Sequence, residues 1–473
     1  MLQTYYTIKE IKMSEIEKKQ QAANEKAARM GEAPLLSLIF KMSLPSMFSM
    51  LIQALYNIVD SIFVAKVGET ALSAVSLVYP IQMLCISVSV GTAIGVASLV
   101  SRKLGAKRQD IAQEVASHGI FLAICSGFVF LIFGLFFADN FVNAFSDNDA
   151  LIQPAISYCT ITSTFSVFSF VTVLCERLMQ SSGDTVTPMF TSLSGCITNI
   201  ILDPIMIFGY FGCPALGVTG AALATVIGQI VGMCVTLIVV NKKHFAVKAT
   251  LKGLKVNGPI IRQIYEVGFP AMVMQAIASV LNIFMNAILI GFSETAVAVL
   301  GVYFKVQSFV FLPVFGMNQG LMPIMAFNFG AKNRDRMIKA MKIGMVIAFC
   351  FMTICTVVFQ AIPAQIMSLF DAQGELMTIG CKALKTISFN FPFAAIGILI
   401  GTIFQSTGHG FYSMLNSILR QLVLILPLAK LFSMLWGLEG VWWSYPIAEI
   451  ISLVFVLIIF RRLWNKELQY LGQ

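Results

Sequence analysis

The sequence has few charged residues. Asp, Glu, Lys and Arg together make up 12% of the 473 residues, whereas hydrophobic residues make up 58%, and the mean hydropathy is +0.83. So much apolar surface cannot be buried in one water-exposed core, and the apolar runs are long enough to cross a bilayer. The sequence therefore predicts an integral membrane protein whose water-soluble parts are short.

Patterns typical of metal centres and disulfide frameworks are also missing. Most of the ten cysteines stand singly within apolar runs, and no two form a C-x-x-C pair. The three histidines, His118, His244 and His409, lie far apart and match no ligand spacing. We expect no metal centre and no cofactor. The basic residues are scattered without interleaved aromatics, so nucleic acid is not expected as a partner.

The apolar runs do not alternate with polar residues, as the strands of a membrane barrel would. Inside lipid every backbone polar group needs an internal partner, so helices are the consistent interpretation. We expect no cleavable signal peptide, since residues 1–34 are predicted to form a charged, helix-prone tail. We predict an all-α fold with twelve membrane spans, at about 36–64, 71–99, 112–138, 150–178, 185–210, 217–240, 260–290, 295–328, 337–361, 375–404, 411–435 and 438–461.

Most Lys and Arg residues fall in loops that share one face of the membrane. Lys66, Lys382 and Lys385 fall near the other face, and a few basic residues lie within spans. Because positive charge is retained on the cytoplasmic side, both termini are predicted to be cytoplasmic, in a protein of the cell membrane. The net charge of +9 belongs to these loops, which can contact anionic lipid headgroups.

The chain repeats itself. Pro45 recurs as Pro270, and the motif Leu-Gly-Ala-Lys at 104–107 recurs as Phe-Gly-Ala-Lys at 329–332, with the same offset along the chain. A Gly turn is predicted in each of these two basic loops. After a short deletion, Gly217 recurs as Gly437, with a slightly smaller offset. Such a duplication predicts two pseudo-symmetric bundles of six helices, related by an axis along the membrane normal.

The repeat also sets the predicted domains. Between the halves lies a basic segment that alternates with apolar residues, for which we expect an amphipathic helix on the inner surface. The predicted units are an N-terminal tail at 1–34, an N-terminal lobe at 35–241, a linker at 242–258, a C-terminal lobe at 259–463 and a C-terminal tail at 464–473.

Two acidic residues within the N-terminal lobe are candidates for a functional site. Asp60 lies in span 1 and Asp203 in span 5, and a carboxylate inside a bilayer is costly enough to need a reason. Asn199 precedes Asp203 by one helical turn, while Gln53 and Tyr56 share the face of Asp60. The alternatives are that Asp60 caps or lines the end of its helix, and that Asp203 with Pro204 marks a kink. Together, the two faces are typical of a site for a small cation.

These residues resemble the multidrug and toxic compound extrusion (MATE) transporters, and within them the DinF-like branch. The similarity rests on the spacing from Pro45 to Asp60, on Asn199-Ile-Ile-Leu-Asp203-Pro204, on Gly217-Val-Thr-Gly-Ala-Ala and on Gln-Ser-Ser-Gly-Asp184. It implies two six-helix lobes around a V-shaped cavity, and export of lipophilic, often cationic compounds in exchange for H⁺ or Na⁺.

The resemblance also implies roles for individual residues. Asp60, Asn199 and Asp203 would form the cation or proton site, which Thr225, or less favourably Thr219, would complete. The NorM-like branch instead places a glutamate midway along span 7 and an aspartate in span 10. In this chain residues 270–279 of span 7 and 388–404 of span 10 contain no acid, so we expect coupling in the N-terminal lobe.

The electrostatics of the two carboxylates suggest a mechanism. In a low-dielectric pocket both cannot ionise cheaply, so one should hold a proton near neutral pH, or Na⁺ should neutralise the pair. Cation and substrate would then favour different states. We expect span 1 to bend near Pro45, where one backbone hydrogen bond is missing; the alternative is an inert proline.

Lys305, Arg420 and Glu449 are further charges that are expected to be buried in the C-terminal lobe. Arg420 and Glu449 are expected to form a structural ion pair, with contact to the substrate as the alternative, and Lys305 is a candidate for the wall of the central cavity. The 25 Met and 39 Phe residues suit varied apolar substrates, although each of them can equally face lipid or fill a gap between helices.

Two other functions were compared with transport of this kind. A flippase for lipid-linked precursors would need several cations in its cavity, where only Lys305 and Arg420 are present. An intramembrane enzyme would need a constellation such as an aspartyl dyad, which Asp60 and Asp203 resemble less well than they resemble a cation site. We therefore predict a monomeric transporter of small molecules and no enzymatic activity.

Overall fold

The computed structural model describes residues 18, 21–146, 148–243 and 245–472, with Asp149 described by its backbone alone. His244 and most of the first twenty residues of the predicted tail lie outside this range. Every regular element within it is helical. In the N-terminal half the helices are α1 (Leu35–Val67), α2 (Glu69–Gly105), α3 (Gln109–Phe136), α4 (Ala138–Asn143), α5 (Asp149–Thr164), α6 (Val167–Ser181), α7 (Val186–Phe208) and α8 (Val218–Lys242), with a short 3₁₀ turn at Tyr210–Gly212.

The C-terminal half repeats this order helix by helix, including a short helix after the third span and a divided fourth span. Its elements are α9 (Gly258–Leu289), α10 (Glu294–Gly330), α11 (Arg334–Ala361), α12 (Pro363–Ser368), α13 (Gly374–Ser388), α14 (Phe391–Thr407), α15 (Gly410–Ile418), a π-helix (Leu419–Ile425) and α16 (Leu426–Lys466), with a 3₁₀ turn at Leu468–Tyr470.

The described helices account for twelve membrane crossings. Nine helical segments are long and apolar enough to span a bilayer, and two bent pairs, α5 with α6 at 45° and α13 with α14 at 47°, supply one span each. The last of the nine, Gly410–Tyr470, has 61 residues and would be about 90 Å long if straight, three times the hydrocarbon thickness. Gly437 breaks it with φ 62° and ψ −147°, so it forms spans 11 and 12. The predicted fold class is confirmed.

The two lobes meet closely through glycine. A Cβ at Gly95 in α2 would overlap the carbonyl of Ile264 in α9, and a Cβ at Gly330 would overlap that of Arg102. Without a side chain at these positions, backbone packs directly on backbone, as is common between membrane helices. The Ser98 hydroxyl of the N-terminal lobe adds a 2.6 Å hydrogen bond to the Gln405 carbonyl. These contacts lie toward the ends of α2 and α10 that carry the basic loops, here called the basic end.

The predicted Gly turns in the two basic loops were wrong. Gly105 and Gly330 are the last residues of α2 and α10, and the left-handed backbone falls two residues later, at Lys107 (φ 58°) and Lys332 (φ 56°). The reason is that the ends of α2 and α10 pack against one another: a Cβ at Gly105 of α2 would overlap the carbonyl of Phe327 in α10. Glycine is therefore needed here for close approach, whereas lysine occupies the left-handed position.

The linker also differs from the sequence prediction. Among residues 243 and 245–257 no helix occurs, only bends, a turn and extended chain. Phe245, Ala246 and Val247 are buried, and the Ala246 carbonyl accepts a 2.6 Å hydrogen bond from the Gln109 side chain. Contacts with the folded lobes thus take the place of the helical hydrogen bonds that an amphipathic surface helix would have made.

A helical segment before α1 crosses the basic end from one lobe to the other. We call residues 21–33 the N-terminal strap; residues 21–32 are helical. Lys26 pairs with Asp184 of the N-terminal lobe at 2.7 Å. On the other side, Asn328 and Arg336 of the C-terminal lobe donate to the Met30 carbonyl at 3.0 and 3.2 Å, and the Met30 side chain is fully buried.

Gly330→Ala should destabilise the protein, because its methyl group would overlap the Arg102 carbonyl and push the two lobes apart. Overpacking of this kind costs about 1–3 kcal/mol. The measurement is the unfolding temperature in detergent. Gly301→Ala on the same helix is the control, since a Cβ there has no neighbour within 4 Å. Equal unfolding temperatures for the two variants would contradict the close contact.

Asp184→Asn should loosen the strap, seen as faster amide hydrogen exchange across residues 21–33, while Glu25→Gln on the exposed side should not. Burial tends to raise the pKa of Asp184, but hydrogen bonds from Lys26 and Thr187 outweigh it and hold the pKa below its ordinary value. Only the ionised carboxylate of Asp184 makes these bonds. The strap is therefore fully bonded to Asp184 above the ordinary pKa of about 3.9, and it loses these bonds as the pH falls through the lowered pKa of Asp184. Loosening of the wild-type strap already near neutral pH would contradict this pairing.

Candidate cation site

Three of the predicted site residues are joined by hydrogen bonds between α7 and α8. The amide nitrogen of Asn199 donates to Asp203 Oδ1 at 3.2 Å and to the Thr225 hydroxyl at 3.3 Å. Asp203 has no exposed surface, and Asn199 is 2% exposed. Both hydrogens of one amide group are thereby used to hold the carboxylate of α7 and the hydroxyl of α8 at fixed positions.

Asp60 reaches this group from α1. Its carboxyl lies within hydrogen-bonding range of the Asp203 carboxyl, so the two acids from spans 1 and 5 face one another. Asp60 lies seven residues before the end of α1, and Asp203 five residues before the end of α7. At 1.5 Å per residue the pair is about 10 Å from the helix ends opposite to the basic end.

Several buried oxygen atoms of this group lack a hydrogen-bond donor among the described residues. They are Asp60 Oδ1, Asp203 Oδ2 and Asn199 Oδ1. No Lys or Arg of the described chain forms an ion pair with either carboxylate. Buried acceptors and charges of this kind require a partner, and a proton or a small cation supplies one.

Two tyrosines and a glutamine surround the acids. Tyr56, one turn before Asp60, and Tyr158 of α5 both lie close enough to the two carboxyls for direct electrostatic interaction. Tyr158 is 3% exposed, and its hydroxyl accepts a hydrogen bond from Gln82 of α2 at 3.1 Å. Gln53, nearer the basic end of α1, donates to the Ser192 hydroxyl of α7 at 3.0 Å.

Glycine allows α7 and α8 to place these side chains together. A Cβ on Gly228 would lie 2.9 Å from the Gly195 carbonyl, and one on Gly195 would lie 3.0 Å from the Gly228 carbonyl. The helices therefore touch backbone to backbone one turn from Asn199 and Thr225. Pro204, directly after Asp203, lies inside α7 without ending it.

Pro45 lies within α1, which runs unbroken from Leu35 to Val67. A proline cannot donate to the carbonyl four residues earlier, which is that of Lys41. That carbonyl instead accepts a hydrogen bond from the Thr185 hydroxyl at 3.4 Å. The hinge assigned to Pro45 stays a prediction, and the structure adds a partner that such a bend would release.

Other predicted residues are not part of this group. Thr219 makes no side-chain hydrogen bond in the described part of the chain, which favours Thr225 as the threonine of the site. Lys305 is exposed on α10, in the other lobe, and forms no ion pair among the described residues. Arg420 pairs with Glu449 at 3.2 Å, as expected from the sequence. Of the two basic side chains considered for a flippase cavity, Arg420 is therefore paired, and Lys305 alone has no ion pair among the described residues.

Tyr158 and Gln229 are not among the site residues predicted from the sequence. Gln229 lies one turn after Thr225 on α8, and its Oε1 atom is buried without a partner within the described residues. Its spacing of four from Thr225 was a signal that could have found it. Tyr158 had no comparable signal, since nothing in its own span indicates that α5 packs beside α1.

A two-lobed bundle of twelve membrane helices, with a buried acidic group inside one lobe, defines a membrane transporter. The family model MatE matches residues 45–205 and 270–431, one match in each half of the repeat and together more than half of the chain. The chain therefore belongs to the MatE family of transporters, and it is not an enzyme.

Curated relatives resemble the chain over most of its length. The "Multidrug export protein MepA" of Staphylococcus aureus (strain bovine RF122 / ET3-1) is 28% identical over 436 residues, which cover 91% of this chain and 94% of that protein. The protein of the same description from Staphylococcus haemolyticus (strain JCSC1435) is 26% identical, covering 92% and 95%.

Solved structures agree in fold. A structure described as "Outward-facing conformation of a multidrug resistance MATE family transporter of the MOP superfamily" superposes with a TM-score of 0.87 at 25% identity, covering 94% of this chain and 99% of that one. Another, "Crystal structure of MATE in the bent conformation", gives a TM-score of 0.86 at 25% identity, covering 92% and 97%.

Thr225→Val should destabilise the site, because it removes the hydroxyl that accepts one of the two Asn199 hydrogens and leaves that hydrogen buried without an acceptor. The expected cost is about 1–3 kcal/mol, measured as a lower unfolding temperature in detergent. Thr219→Val on the same helix is the matched control and should unfold like the wild type. Equal losses in both variants would show that the Asn199 to Thr225 bond contributes nothing particular.

Proposed function

We propose that the protein is a secondary active antiporter that exports lipophilic, often cationic compounds in exchange for H⁺ or Na⁺. The coupling ion would bind at Asp60, Asn199, Asp203 and Thr225, with Gln53 and Tyr56 as supporting residues. The observation that carries the proposal is the pair of facing carboxyls, buried with unpartnered oxygens and, within the described chain, without a basic side chain bound to either.

The physical argument is electrostatic. Two carboxylates that face one another in a medium of low dielectric repel strongly, so the pair is stabilised when a proton or Na⁺ reduces its charge. A state that holds the ion and a state that holds a cationic substrate then differ in stability. Each ligand shifts the equilibrium only by its differential affinity for the two states, which is the requirement for exchange.

The motion would begin in α1. Loading of Asp60 changes the charge near one end of this helix, and Pro45 lies fifteen residues away, toward the basic end. A bend at Pro45 would cost little backbone hydrogen bonding, because proline removes the helical donor four residues after Lys41, whose carbonyl accepts a hydrogen bond from the Thr185 hydroxyl at 3.4 Å. Displacement of α1 would then change the wall of the space between the lobes, where Lys305 is expected to lie.

The substrate class rests on the relatives and on composition. The curated relatives are described as multidrug export proteins. Broad selectivity agrees with the 25 Met and 39 Phe residues, because thioethers and aromatic faces adapt to varied apolar and cationic shapes. A flippase has less support, since the guanidinium of Arg420 is already paired with Glu449.

We assign the protein to the cell membrane as a monomer with both termini cytoplasmic, in contact with membrane lipids. The charge bias of the loops supports the orientation. With the basic end inside, the lobes meet at the cytoplasmic side and the present conformation faces outward. We also place the chain in the DinF-like branch, because residues 270–279 of span 7 and 388–404 of span 10 contain no acid while Asp60 and Asp203 occupy the N-terminal lobe.

The test is efflux of ethidium from proteoliposomes under separately imposed pH and Na⁺ gradients. One of the two gradients should drive export by the wild type. Asp203→Asn should reduce gradient-driven export to the background of empty liposomes, because one carboxylate can no longer be loaded. Asp139→Asn, an exposed acid on α4 of the same lobe, is the matched control and should transport normally.

The possible outcomes are distinct. Export that depends on neither gradient would contradict antiport. Undiminished export by Asp203→Asn, at equal incorporation into the liposomes, would contradict the assigned site while leaving antiport standing.

A further inference from the structure

The C-terminal lobe contains its own buried charge cluster, which the proposed function does not use. Arg420 lies in the π-helix at Leu419–Ile425, and one of its terminal nitrogens is 3.2 and 3.3 Å from the two carboxylate oxygens of Glu449 in α16. The Glu449 side chain is 6% exposed and that of Arg420 is 23% exposed. Charges this deep inside a membrane protein are rare and generally functional.

Groups from two further spans surround the pair. Tyr303 of α10 is fully buried, and its ring lies 6.0 Å from that of Tyr445, one turn before Glu449. The Tyr445 hydroxyl is buried without a partner among the described residues. Gly397 of α14 leaves room beside the acid, since a Cβ there would lie 3.7 Å from Glu449 Oε1. Four spans of one lobe thus converge on a single carboxylate.

The repeat relates this cluster to the Thr225 side of the cation site in the other lobe, while the two acids of that site, Asp60 and Asp203, correspond to the apolar residues Met285 and Leu428. The offset that relates Gly217 to Gly437 in the later part of each half also relates Thr225 to Tyr445, and Gln229 to Glu449. The slightly larger offset of the earlier part, which relates Pro45 to Pro270, also relates Gly195 to Arg420. In the N-terminal lobe the helices touch at Gly195, whereas in the C-terminal lobe a guanidinium stands at that position.

The two clusters differ in one respect that decides their chemistry. The N-terminal cluster has two acids with no basic side chain of the described chain bound to them, so its positive charge must come from outside. The C-terminal cluster has one acid with a positive charge supplied by the chain itself, at direct contact. An ion pair so buried is held firmly, because separating it leaves an uncompensated charge.

We infer that the guanidinium of Arg420 is a built-in cation that permanently neutralises Glu449, in the part of the C-terminal lobe that corresponds to the Thr225 side of the cation site, so that Glu449 neither loads nor releases a coupling ion. The inference rests on the proposed function of the N-terminal site. It makes the C-terminal site a latent one: removal of Arg420 would expose a carboxylate in a pocket that accepts a proton or Na⁺. Transport by the natural protein then couples to the N-terminal site alone.

The direct test is labelling of purified protein with dicyclohexylcarbodiimide, which reacts with protonated carboxyl groups in apolar surroundings, followed by mass spectrometry of each acidic peptide. Glu449 of the wild type should stay unlabelled throughout the neutral pH range. In Arg420→Gln its labelling should rise by at least about tenfold, because breaking a buried pair costs more than the roughly 1.4 kcal/mol that a factor of ten represents. Arg262→Gln is the control, since Arg262 and its partner Glu266 are both well exposed, so removal of that arginine leaves no buried charge without a partner.

Labelling of Glu449 in the wild type, with protection by a transported substrate, would overturn the inference, and this arm needs no variant to fold. Failure of antiport itself would appear separately, as wild-type efflux indifferent to both gradients, while the labelling of Glu449 would still report on the ion pair.

The transport arm uses the charge-neutral double variant. Glu449→Gln alone should lose transport, because it leaves Arg420 buried without its counter-ion. Arg420→Gln combined with Glu449→Gln should regain efflux with the same dependence on the driving gradient as the wild type, since no C-terminal charge takes part in coupling. A double variant that is folded, as judged by a single gel-filtration peak, but has lost gradient-driven efflux would overturn the inference.

Discussion

Direct backbone contact between the two lobes is the constraint on which the rest of the architecture depends. In lipid the hydrophobic effect does not drive helices together, so association relies on close packing. Gly95, Gly105 and Gly330 provide it at the basic end, where any side chain would overlap a carbonyl of the other lobe. These glycine contacts join the lobes at the basic end, and the acid pair lies toward the other end of the helices.

The duplicated halves have the same helices but manage buried charge in opposite ways. In the N-terminal half, Asn199 fixes one carboxylate opposite another and leaves oxygens without donors among the described residues. In the C-terminal half, Arg420 neutralises Glu449 within the chain. Under the proposed function, a symmetric scaffold would contain one group that takes its positive charge from the surrounding solution and one that takes it from the chain. The two lobes of a duplicated protein would then respond differently to the same ion.

Much of the fold could be predicted from the sequence. Long apolar runs indicate helices because lipid requires every backbone polar group to be bonded within the chain, and a repeat of nearly constant offset indicates two similar halves. Twelve spans and two bundles followed from them, and the pairing of Arg420 with Glu449 followed from the cost of buried charge. The pattern could not give the contacts that depend on tertiary placement. Gly105 was interpreted as a turn residue although its neighbour is Phe327 of the other half, and Tyr158 gave no sign of its closeness to Asp60. The linker was predicted to be helical because basic and apolar residues alternate along it. That pattern carries no information about Gln109, whose side chain binds the linker backbone.

The strap before α1 has a consequence for how the cycle is controlled. It bonds to Asp184 in one lobe and to Asn328 and Arg336 in the other, so it spans the contact between the lobes. In the proposed transport cycle, opening of the basic end would require those bonds to break, at a cost that is the same whatever ion or substrate is bound. Truncation, fusion or modification ahead of Leu35 would then change how often the transporter turns over without altering what it carries.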